Sequence, residues 1–138
     1  MKSATTLSLA DATQAIAAMT AELMNRKLAA VLAVADNHGE LIALHRMDGA
    51  PLGSVQIAMN KAWTAAREGK TSWDIGRAAR DPVTGFDISY YSDPRYIGWG
   101  GGVPVLHKGV AIGSVAVSGL TEQLDEEIAR IGAAAVAL

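Results

Sequence analysis

A chain of 138 residues, half of them hydrophobic and 19% charged, can hold one domain (1–138) with a sizeable core and is too short for two. Its formal net charge of -2, with signs mixed along the chain, leaves no basic stripe to neutralise a run of phosphates, which argues against nucleic acid as a partner. Cysteine is absent, so disulfides and thiolate chemistry are excluded; with no charged-then-apolar leader and no long apolar run, a cytoplasmic protein outside the membrane is expected.

In chain order, Ser8 and Asp11 have the spacing of a short-armed capping box, and Ile16, Met19 and Leu23 recur at helical period, predicting a helix over 9–27. "AAVLAVAD" and "ELIALHR" are two β-compatible runs joined by "NHG", a hairpin signal. After "MDGAPLGS" the stretch 55–68 reads as a helix with Val55, Met59, Ala62 and Ala66 on one face and Gly69 as its stop. "SWDIGRAAR" predicts a short helix ending at Asp81-Pro82. "GVPVLHKGVAIGSVAVSG" contains a second hairpin turning at Lys108-Gly109. In the "TEQLDEEIARIGAAAVAL" that follows, Thr121 caps a helix whose first turns carry Glu122, Asp125, Glu126 and Glu127. Two hairpins flanked by helices predict an α+β domain in which one antiparallel sheet is covered by helices.

Several motifs fail. "GWGGGVP" lacks the spacing of a dinucleotide loop and runs into a strand rather than a helix. His38, His45 and His107 have no metal-ligand spacing, and His38 and His107 read as turn residues, so no metal site is expected. Ser89, Ser114 and Ser118 sit in no nucleophile elbow.

One constellation remains. Arg46 and Asp48, two apart where a strand turns toward a helix, form either a local pair or part of a site. Lys61, at the edge of the alanine face, either snorkels to water or joins Arg46 in a clamp for a carboxylate. Five of the seven aromatic residues, Phe86, Tyr90, Tyr91, Tyr96 and Trp99, crowd in front of Gly100, Gly101 and Gly102. Tyrosines and a tryptophan beside bare glycine backbone suit the rim of a pocket for a flat ligand, and equally a subunit interface.

"LSLADA", "AVADNHGELIALHRMDGAPLGSVQIAMNKAWTAA", "GGVPVLHKGVAIGSVAVSG" and "TEQLDEEIA" together resemble the GlcG/HbpS-like family of haem-binding or haem-degrading proteins. That family also supplies the C-terminal domain of PduO-type corrinoid adenosyltransferases. The resemblance implies a profilin-like or GlcG-like fold with a five-stranded antiparallel sheet, and homo-oligomers in which dimers build tetramers or octamers. It implies haem as the possible cofactor, and it carries over onto Arg46, Asp48, Gly49, Lys61, Gly101, Gly102, Pro104, Gly113, Ser118, Gly119, Asp125 and Glu126. Leu120 and Glu122 depart from its pattern. The expected function is binding of haem or another planar, carboxylate-bearing small molecule by Arg46, Asp48, Lys61, Tyr90, Tyr91, Tyr96, Trp99, Gly100, Gly101 and Gly102. The alternative is a catabolic enzyme, an isomerase or hydrolase acting on a small carboxylated metabolite, with Asp48, Lys61 or Asp125 as acid or base.

Overall fold

In the computed structural model, which describes residues 1–138, the order is α1 (Leu9–Asn25), β1 (Val31–Asp36), β2 (Leu41–Arg46), α2 (Ser54–Glu68) and α3 (Ser72–Ala79). A 3-10 turn (Ile88–Tyr91) follows, then β3 (Gly102–His107), β4 (Val110–Ser118) and α4 (Glu122–Ala134). The helix starts are built as their sequences predict. The Ser8 hydroxyl accepts the Asp11 N–H at 3.1 Å while the Asp11 carboxylate accepts the Ser8 N–H at 2.8 Å. At α4 the Thr121 hydroxyl accepts the Leu124 N–H at 3.2 Å. Gly69, at φ 65, closes α2 in the left-handed conformation.

The strands form one sheet in the order β2-β1-β4-β3, every neighbouring pair antiparallel. Lys108 and Gly109, both at positive φ, turn the β3–β4 hairpin. The sheet has four strands and not the five that the resemblance implies. The chain between α3 and β3 contains Pro82 and Pro94 and folds into successive turns, in which Asp81, Asp87 and Asp93 accept the N–H groups of Val83, Ser89 and Arg95. No extended run is left there to pair as a strand.

Strand β1 is covered on both faces, and its alternation divides the core. Leu32 and Val34 pack with Met19 and Leu23 of α1 and Ile128 of α4, whereas Val31, Ala33 and Ala35 meet Ala58 and Ala62 of α2. Fully burying each of the larger side chains contributes roughly 1.5–3 kcal/mol. In α2 the buried surface is wider than one amphipathic face: Lys61 to Ala66 are all buried. The sheet covers one flank and the loop before β3 covers the other. There the Thr64 hydroxyl donates to Arg95 O at 3.2 Å and accepts the Ile97 N–H at 3.0 Å, and the Arg95 guanidinium lies 3.3 Å from the centre of the Trp63 ring.

Candidate functional site

Lys61 neither snorkels to solvent nor stands free. It is 2% exposed, and its Nζ donates to Val117 O and to Asp125 Oδ2, each at 3.0 Å. Asp125, also 2% exposed, accepts the Leu120 N–H on its other oxygen at 3.0 Å. Burial pushes the Lys61 ammonium below its usual range and the Asp125 carboxyl above its own, and the attraction between the two opposes both shifts. Gly101, at φ 132, makes the arrangement possible: a Cβ there would stand 2.9 Å from Lys61 Nζ and run into Val117 O. The pair joins α2 to α4 around the end of the sheet.

Above it lies a hollow of about 440 Å³, lined among others by Pro51, Ser54, Lys61, Trp99, Ser118 and Glu122. The glycine backbone beside it is already engaged. The Gly100 N–H goes to Glu122 Oε1 at 3.0 Å, the Gly102 N–H to the Ser72 hydroxyl at 2.9 Å, and that hydroxyl donates to Trp99 O at 2.7 Å. These bonds fix Trp99 at the rim, 54% exposed.

Of the residues singled out in the sequence, Lys61, Asp125 and Trp99 meet at this hollow. The tyrosines lie elsewhere: Tyr91 stacks on Tyr96 with ring centres 4.2 Å apart, Phe86 meets Tyr91 edge-on at 6.0 Å, and Tyr90 is 80% exposed. Most of the aromatic loop therefore packs on itself. Arg46 is exposed on the edge strand β2. Its register partner is Val31, whose partner across the next strand is Ser118, so the three share one face of the sheet. That puts the Arg46 backbone two strand spacings, ~10 Å, from Ser118. Asp48 is exposed in the turn that follows, and neither Arg46 nor Asp48 lines the hollow.

On the opposite face a groove of about 510 Å³ runs between α1 and β2, walled by Leu9, Ile16, Ala17, Met24, Ala43 and His45. His45 pairs in register with Leu32, which fixes its side chain on the α1 side. The Thr20 hydroxyl, also in this wall, is buried without a hydrogen-bond partner. No cluster of three His, Asp or Glu side chains stands anywhere in the chain as a metal site. Sequence reasoning missed this groove. Its only signal was that Ala43 and His45 alternate on a strand whose partners Val34 and Leu32 belong to the α1 side of the core.

A four-stranded antiparallel sheet between helical layers defines a small α+β protein whose recesses include a polar hollow at one end and an apolar groove on the other face. The chain belongs to the HbpS-like family, described as "Haem degrading protein HbpS-like", whose pattern matches residues 7–134. It is 34% identical to protein GlcG of Escherichia coli over 118 residues, covering 86% of this chain and 85% of that one. The crystal structure of Klebsiella pneumoniae protein ORFY superposes with a TM-score of 0.92 at 30% identity, over 99% of this chain and 94% of that one. The crystal structure of a PduOC:heme complex superposes with a TM-score of 0.86 at 25% identity, over 95% of each chain. No helix is long and apolar enough to cross a membrane.

Proposed function

We propose that this chain is a small-molecule-binding protein whose ligand is haem, seated in the groove between α1 and β2 with His45 toward the iron. The observation that carries the reading is an apolar recess with one imidazole in its wall. The residues there fit the group. Leu9, Ile16, Ala17 and Ala43 offer aliphatic surface to a flat macrocycle, His45 offers a nitrogen ligand, and Met24 adds a thioether in the same wall. Membership of the HbpS-like family and likeness to a haem complex support the same ligand. Bound haem would supply an iron centre; the chain's own part is to hold it by apolar contact and one side-chain nitrogen. Because a single histidine lines the groove, a low-spin spectrum from two histidines of one chain is not expected. A haemin titration followed by Soret absorbance tests the reading. The His45→Ala variant should lose the wild-type Soret shift; an unchanged titration in that variant would contradict it.

A further inference from the structure

The hollow over Lys61 and Asp125 is a second recess, and its lining differs in chemistry from that of the groove. Two serines in its wall, Ser54 (6% exposed) and Ser118 (4% exposed), make no side-chain hydrogen bond within the chain, and their hydroxyls open onto the recess instead of being sealed in the core. A hydroxyl that opens onto a recess is hydrated there, and a ligand that enters exchanges that water for a hydrogen bond of its own. Here both belong to the lining of an open recess, so a bound molecule can supply the partner.

The charge of the hollow narrows what that molecule is. Lys61 is neutralised by Asp125 at 3.0 Å, and Glu122 adds one negative charge. Against this, Ser54 and Glu122 are the first residues of α2 and α4, whose N-terminal ends each contribute roughly half a positive charge. The field therefore comes close to neutral. A carboxylate would be repelled by Glu122, and an ammonium by the two helix ends. Ligand hydroxyls both donate and accept, which is what the wall asks for: two serine hydroxyls that do either, the third proton of Lys61 Nζ, and the second oxygen of Glu122. The exposed ring of Trp99 offers a flat apolar surface to the C–H groups between those hydroxyls.

We propose that the hollow formed by Ser54, Lys61, Trp99, Ser118 and Glu122 binds a small, neutral, polyhydroxylated molecule. The proposal does not rest on the haem reading, since the hollow and the groove share no lining residue.

The test uses the four-carbon polyol erythritol and erythronate, the same skeleton with a terminal carboxylate, by saturation-transfer NMR on the full chain at pH 7. Erythritol should bind at least about tenfold more tightly than erythronate. Ser54→Ala and Ser118→Ala should each weaken erythritol by roughly two- to tenfold, one hydrogen bond apiece. Because these hydroxyls have no partner in the chain, the variants should unfold at the wild-type denaturant midpoint, so the loss reads binding alone. Their haem binding, followed by Soret absorbance, should match the wild type, which keeps failure of the polyol site distinguishable from failure of the haem groove. Equal or tighter binding of erythronate, erythritol binding indifferent to both alanines, or no erythritol signal at millimolar concentration would each overturn the proposal.

Discussion

The two recesses are built from opposite solutions to the same burial problem. The groove between α1 and β2 leaves apolar surface open at the sheet edge and sets a single imidazole in it. The hollow between α2, β4 and α4 buries an ion pair in contact with backbone and leaves hydroxyls unpaired above it. The alternation of β1 separates the helices behind them, with Leu32 and Val34 toward α1 and Val31, Ala33 and Ala35 toward α2. One small sheet thus carries two recesses of unlike chemistry, each on the side of its own covering helix. The contrast also separates structure from recognition. In the hollow, Lys61 and Asp125 hold the fold while Ser54 and Ser118 remain free.

The largest expected effect breaks the hollow's floor. Lys61→Met leaves Asp125 buried without its cation and should cost about 3–5 kcal/mol in denaturant unfolding. Adding Asp125→Asn, which keeps an oxygen for the Leu120 N–H, should recover much of that loss. A double variant no more stable than Lys61→Met would show that the pair is not what couples α2 to α4. A smaller effect is expected at the loop. Thr64→Val removes the hydroxyl bonded to Arg95 O and to the Ile97 N–H and should cost about 1–3 kcal/mol, with hydrogen exchange rising at Ile97 first. Protection at Ile97 matching wild type would mean that the loop is held by its aromatic stack alone. The smallest effect is a pH dependence. Arg95 holds the Asp93 carboxyl down at about 2, from an ordinary value of 3.8. A depressed carboxyl stabilises the fold above the unfolded value and loses that contribution as pH falls. Between pH 4 and 2 the loop should therefore loosen slightly, and Asp93→Asn should flatten that part of the acid profile.

Much of the fold was legible because its signals are local. The caps at Ser8 and Thr121, the stop at Gly69 and the turn at Lys108-Gly109 each specify a boundary within a few residues. The two hairpins read from the residues account for all four strands, and the fifth was implied only by the family resemblance. In the hollow, Lys61 and Asp125 could each be singled out, but their pairing could not. They are 64 residues apart, and a lysine at the edge of an alanine face looks solvated until the glycine backbone at Gly101 is seen to pass over it. Glu122, read as a helix-dipole acid, proves also to hold the Gly100 N–H. His45 was set aside with the other histidines because one histidine in a strand carries no spacing signal. Only the docking of α1 turns it into the wall of a groove.

If the two recesses act separately and haem belongs to the groove, one haemin titration run on three proteins should separate them. The proteins are the wild type, His45→Ala and the double variant Ser54→Ala/Ser118→Ala, each read by Soret absorbance. The Soret shift should be lost in His45→Ala and unchanged in the double serine variant. A shift that survives His45→Ala and fails in the serine variant would place haem in the hollow and contradict the division of the two recesses.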